Sequence, residues 1–305
     1  MNTPTRVAAF VAGLAAVFAA ALGAGSLAGP VATAGVGSSA TAPVDGGHGH
    51  AAPGHADVDV DADEPADELP GGLLVAQDGY RLDLTERELA ATSEVPLEFR
   101  VLGPDGQPVT RYTTEHGEDL HLVVVHRDLS TYQHVHPRLD DSGTWRVPLD
   151  LSEPGVHRVF ADFTPADRSE GLTLGADLAV AGDHQPQPLP VPSRTAEVDG
   201  YTVTLDGDLQ PGRESELTLT VSRDGQPVTD LQPYLEAYGH LVALRDRDLA
   251  YLHVHPLGHP GDGSTEPGPG ITFAATAPTA GAYRLFLDFR HDDEVRTAAF
   301  TVDAG

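Results

Sequence analysis

Cysteine is absent from this 305-residue sequence, and Met1 is its only methionine. No disulfide, thiolate zinc site, cysteine nucleophile or lipid-modified cysteine can form. Thioether ligation is excluded with them. Any transition-metal site must therefore use imidazole, carboxylate, phenol or backbone groups, a set that suits Cu(II), Zn(II) or Ni(II) better than soft Cu(I). Lysine is missing too: all 18 basic residues are arginine, against 46 Asp and Glu, for a formal charge of −28. So acidic a chain repels phosphate backbones, which argues against nucleic acid as a partner, and it is compatible with attracting cations. The charge alone also fits an acidic, solvated surface. No glycine-rich phosphate loop, nucleophile elbow or acid pair at a readable spacing occurs, so nothing marks the chain as an enzyme.

What the chain does have is an internal repeat. DGQPVT (105–110) and HLVVVHRDLSTYQHVHP (121–137) return as DGQPVT (224–229) and HLVALRDRDLAYLHVHP (240–256). His121, Tyr132, His134, His136 and Pro137 recur as His240, Tyr251, His253, His255 and Pro256. GVHRVFADF (155–163) recurs as GAYRLFLDF (281–289), with Asp162 matched by Asp288. The offset grows by seven between the two blocks because LGHPGDGSTEPGPG replaces RLDDSGT. Loops drift after a duplication, so histidines kept in both copies point to a site.

Arg6 precedes the uncharged, Ala-rich run 7–29, which ends near the small-residue pattern Ala32-Thr33-Ala34. Residues 1–34 are therefore expected to be a cleaved signal peptide or an N-terminal membrane anchor, with the rest of the chain secreted or extracytoplasmic. Residues 35–71, rich in Gly, Pro and Asp and carrying His48, His50 and His55, are expected to be a disordered acidic tether. The tether histidines either bind metal loosely or are simply solvated.

From residue 72 onward the pattern is β. Apolar residues alternate in VPLEFRV (95–101), HLVVV (121–125), ADLAV (176–180), YTVTL (201–205), ELTLTV (216–221) and AYRLFLDF (282–289). This is the period of a half-buried strand. Turn signals separate these runs at about 8–12 residues, which suggests some seven strands per repeat. The fold class is all-β: two tandem immunoglobulin-like β-sandwiches, 72–183 and 195–305. Between them HQPQPLPVPSR (184–194) reads as a semi-rigid proline linker.

In HVH, two histidines share one face of a strand. A turn centred on Asp128-Leu129 pairs residues whose numbers sum to 257, setting His121 opposite His136 and Val123 opposite His134. Directly opposed Cβ atoms lie about 4.5–5.5 Å apart, close enough for three imidazoles to meet one ion. The same arithmetic sets His240 opposite His255, with His253 beside it. One metal site per repeat is therefore expected: His121, His134, His136 and Asp162, then His240, His253, His255 and Asp288. The aspartates either complete the ligand set or orient a histidine from behind. Against this stands a buried His–Tyr–Asp network that holds no metal. His116, His126 and His157 face Leu235, Arg245 and Tyr283 in the other copy, so they read as surface or packing residues. Arg158 and Arg284 read as ion-pair partners of acids on neighbouring strands.

The combination of YQHVHP with VFADF and LGADLAV, and of AYGHLVALRDRDLAYLHVHP with YRLFLDFRHDDEVRTAAFTV, resembles a family of secreted or membrane-anchored actinobacterial proteins found in heavy-metal, copper-handling contexts. Its general character is similar to YtkA-like domains and periplasmic copper carriers, although the carriers' methionines are missing. The resemblance implies an extracytoplasmic copper or zinc buffer or carrier that holds Cu(II) or Zn(II). Its implied partners are the metal ion and an envelope metal transporter or chaperone, with membrane contact only through an uncleaved leader. The other expectations are a structural or interaction module of the envelope whose histidines only pack, and a metalloenzyme that keeps an open ion position.

Overall fold

The computed structural model describes residues 69–305 except His253. The leader and the tether through residue 68 lie outside the described residues. All regular structure in the described residues is β, as the alternation predicted, and no helix there is long and apolar enough to cross a membrane.

The first half contains β1 (Ala76–Gln77), β2 (Tyr80–Leu84), β3 (Glu88–Ala90), β4 (Val95–Leu102), β5 (Tyr112–Thr113) and β6 (His121–His126). It continues with β7 (Tyr132–Val135), β8 (Arg138–Leu139), β9 (Trp145–Leu149), β10 (Gly155–Pro165) and β11 (Leu172–Ala181). One sheet orders β1-β2-β4-β9-β8; the other orders β3-β11-β10-β6-β7, with β5 added to β10. The second half contains β12 (Thr195–Val198), β13 (Tyr201–Asp206), β14 (Glu214–Arg223), β15 (Gln226–Pro227) and β16 (Gly239–Arg245). It ends with β17 (Val254–Pro256), β18 (Gly270–Thr276), β19 (Gly281–His291) and β20 (Glu294–Ala304). Its sheets order β12-β13-β14-β18-β17, with β15 on β14, and β16-β19-β20.

Alternation builds each core. Val95, Leu97, Phe99 and Val101 of β4 face Leu122, Val124, Val159 and Ala161 across the first sandwich. Leu217, Leu219 and Val221 face Leu241, Ala243, Leu285 and Leu287 across the second. The repeated DGQP turns favour glycine: Gly106 and Gly225 sit at φ of 75° and 73°, a left-handed conformation that L side chains rarely adopt.

A third apolar cluster joins the halves. Val123, Val125 and Phe160 turn away from their own core to meet Val242, Leu244 and Phe286. All six residues of β6 are consequently buried, which is why HLVVVH carries so continuous an apolar run. The contact is reciprocal. Tyr132 stacks on Phe286 with ring centres 4.2 Å apart, and Tyr251 lies on Phe160 at 5.4 Å. Each hairpin thus packs on the other half's sheet, as in an interface between two-fold related units.

Gly71, the last residue assigned to the tether, bridges to Tyr251, and Gly72 N–H donates to Thr173 at 2.7 Å. The chain therefore enters the fold slightly earlier than its composition suggested. Arg158 pairs with Asp177 at 3.0 Å, as expected, and also donates to the carbonyls of Gly72 and Leu73. Arg284 departs from expectation, donating to Thr301 Oγ1 at 3.0 Å rather than to an acid.

Candidate metal centre

The face of β6 that carries Val123 and Val125 also carries His121, and the face of β16 that carries Val242 and Leu244 carries His240. Both histidines therefore end up between the halves. The first hairpin pairs as its spacing predicted: Leu122↔Val135, Val123↔His134, Val124↔Gln133 and Val125↔Tyr132 all sum to 257. Tyr132, His134 and His136 project from β7 and its C-terminal end toward the second half, while Val135 packs in the first core.

His121, His134 and His240 form one cluster whose candidate ligand atoms all lie within 4.8 Å of one another. His136 adjoins it, its ring centre 5.1 Å from that of His121 and 4.9 Å from that of His134. The site is thus shared, which corrects the expectation of one site within each repeat. The cause is burial: the histidine-bearing faces are the faces that the two sandwiches press together.

The second hairpin departs from its expected pairing. Leu244 bridges Tyr251, preserving the predicted register at that point. Beyond Leu252 the chain leaves for the other sheet, where His255 sits exposed opposite Ala274 instead of opposite His240. His253 lies outside the described residues. Asp162 neighbours His121 across the β6–β10 pairing and accepts from Thr173 Oγ1 at 3.0 Å.

Asp288 is 2% exposed. Its carboxyl accepts from His134 Nδ1 and Tyr132 Oη, each at 3.0 Å, and from Thr297 Oγ1 at 2.6 Å. Two of these donors come from the other repeat. Burial pushes the Asp288 carboxyl up to about 6, against the lowering effect of its Thr297 hydrogen bond and of His240. Burial lowers His134 and His136 to about 3, helped by their imidazole neighbours, and holds His240 well below the ordinary range. These rings are neutral at physiological pH, the state in which imidazole ligates.

Hydrogen bonding also orients the rings. His121 Nε2 lies 3.1 Å from the Glu115 carbonyl; a carbonyl only accepts, so that nitrogen carries a proton and Nδ1 is the edge turned to His134. Above about pH 6 the Asp288 carboxylate likewise only accepts, so His134 Nδ1 carries the proton and Nε2 is bare. His121 Nδ1 and His134 Nε2 lie 3.2 Å apart. Ligand atoms about 2.0–2.1 Å from a tetrahedral ion stand about 3.3–3.4 Å from one another. His136 Nε2 and His240 Nδ1 are also buried without a hydrogen-bond partner.

A cleft of about 790 Å³ reaches this cluster, its wall including His121, His240, Asp162, Glu115, Asp119 and His255. His116, set aside in the repeat comparison, stands 6.1 Å between ring centres from both His121 and His240. His126 and His157 are buried, 2% and 1% exposed, rather than at the surface. None of these three is matched by a histidine in the other repeat.

The solved structures with similar folds are distant. They include the Escherichia coli adhesin FdeC (15% identity, 75% of this chain and 65% of that one, TM-score 0.24). Others are invasin, described as a bacterial integrin-binding protein (11%, 76% and 41%, TM-score 0.23), and Salmonella alpha-2-macroglobulin (13%, 78% and 15%, TM-score 0.26). The chain thus spans less than two thirds of each of these proteins, and overlaps this loose carry no inference about function. No curated protein matches the chain. One family model matches both halves, over residues 75–177 and 196–305, and its description is "Domain of unknown function (DUF8832)". The chain belongs to that DUF8832 family, with one copy of the domain in each repeat.

Proposed function

We propose that this protein binds one divalent transition-metal ion between its two repeats, with His121, His134 and His240 as ligands and His136 beside them. The observation that carries the reading is the convergence of ligand nitrogens from His121, His134 and His240 within 4.8 Å of one another, with His121 Nδ1 and His134 Nε2 3.2 Å apart. A cation can take both of these nitrogens at once when neither carries a proton. An imidazole set without sulfur suits Cu(II) or Zn(II). Asp288 orients His134 from behind, and Tyr132 and Thr297 orient Asp288. Together with the leader's composition, this supports an extracytoplasmic metal buffer or carrier that receives its ion from an envelope transporter or chaperone. Binding rather than turnover is the role proposed.

The second reading, a structural module in which the cluster only joins the repeats, is favoured by one observation: the Asp288 carboxyl is raised to about 6. Below that pH a protonated Asp288 can donate to His134, and His134 to His121, closing a metal-free network. The unpartnered nitrogens of His136 and His240 weigh against it.

Zinc competition titration of the full chain, with His48, His50 and His55 replaced by Gln, separates the readings. His121→Gln, His134→Gln and His240→Gln should each abolish the same single tight site, and combining them should remove nothing further. An unchanged number of zinc ions bound in the triple variant would leave the packing network as the better account.

A further inference from the structure

We propose a second divalent-metal site, built from His126, Asp128 and His184, that latches the interdomain linker to the first sandwich. His126 ends β6, Asp128 lies in the β6–β7 turn and His184 opens the proline linker. Their candidate ligand atoms lie within 4.8 Å of one another. Five residues separate His126 from His121 along the strand, which places the two sites about 17 Å apart.

Three observations carry the assignment. His126 Nδ1 lies 2.8 Å from Asp128 Oδ1 and 3.3 Å from the Asp128 backbone nitrogen, so this edge of the ring faces the carboxylate while Nε2 points to the other side. That Nε2 is buried and has no hydrogen-bond partner. Gly155 (φ +125°) packs against it: a Cβ there would collide with His126 Nε2 and stand 3.0 Å from the His184 ring, so glycine lets the two rings come together. His184 covers the same spot, its ring centre 4.0 Å from that of His126 and its Nε2 3.4 Å from Asp128 Oδ2.

The third observation comes from the duplication. In the second repeat the position of His126 is taken by Arg245, whose guanidinium binds Asp248 at 2.9 and 2.5 Å. That corner holds a covalent cation. In the first repeat the same corner holds imidazoles and a carboxylate. Backbone N–H groups of Gln187 and Ser130 donate to Asp128 at 2.8 and 3.0 Å. His157, paired with His126 across the sheet, is 1% exposed. A metal ion supplies the charge that Arg245 supplies in the other copy.

Gln187 N–H donates to Asp128 Oδ2 at 2.8 Å, so an ion at Asp128 and His184 ties down residues 184–187 as a unit. Hydrogen exchange read by mass spectrometry on the full chain, with and without Zn(II) alone, tests this. Zinc should slow exchange in peptide 183–190 at least tenfold, in wild type and equally in His240→Gln, which removes the first site. His184→Gln, a substitution at a partly exposed position, should abolish that protection and lower zinc stoichiometry by one. Absence of zinc-dependent protection at 183–190 in wild type, or its persistence in His184→Gln, would overturn the assignment; loss of protection near residues 115–121 alone would bear only on the first site.

Discussion

Replacing Asp288 by Ala should destabilise the metal-free protein by about 3 kcal/mol at pH 7.5. Three buried donors, Tyr132 Oη, His134 Nδ1 and Thr297 Oγ1, converge on this carboxyl. Leaving each unsatisfied costs about 1–3 kcal/mol. Against that stands relief of the carboxylate's own burial. Its pKa is raised from 3.8 to about 6, and at about 1.4 kcal/mol per unit the relief is about 3 kcal/mol at neutral pH. The sign fixes how the gap moves with pH. A raised acid pKa contributes stability that is fully present below 3.8 and lost as pH rises through about 6. Wild type holds that contribution at pH 4.5 and the variant does not, so the gap should widen in acid. Urea denaturation of the full chain in chelator, followed by circular dichroism at pH 7.5 and 4.5, measures both values. A gap under 1 kcal/mol, or one that narrows in acid, would refute the reasoning. Losing the group that orients His134 should also weaken zinc binding by about 10–100-fold.

Acid should destabilise the metal-free wild type as well. Burial lowers His134 and His136 to about 3 and His157 to about 4 from 6.5, and lowers His240 strongly. The unfolded chain therefore binds more protons below about 6.5, and each such histidine withdraws up to about 1.4 kcal/mol per pH unit, opposed only in part by Asp288. Melting temperature in chelator should fall steadily from pH 7 to 4.5; a flat profile would count against buried neutral imidazoles. Phe286→Ala should cost about 3–5 kcal/mol, because Phe286 is 3% exposed and stacks on Tyr132 at 4.2 Å. A loss below 1 kcal/mol in urea denaturation would mean that this stack does not hold the halves together.

The all-β fold was legible because alternation in VPLEFRV or ELTLTV records one local fact, which side chains leave water. The first hairpin's register was equally legible, since HLVVV and YQHVH are joined by a short turn and few pairings keep Val135 inward. The repeat marked His121, His134, His136 and Asp162 in one copy and His240, His253, His255 and Asp288 in the other. It did not mark their assembly. Two copies of a motif read naturally as two sites, and only the packing of Val123, Val125 and Phe160 on Val242, Leu244 and Phe286 makes them one. Nor could spacing foresee that His255 follows β17 into the other sheet, or that His126 meets His184 across 58 residues of chain. Strand pairing and alternation are short-range and leave their period in the sequence. Which outer faces meet is decided by apolar surface far apart in the chain, and that has no period to read.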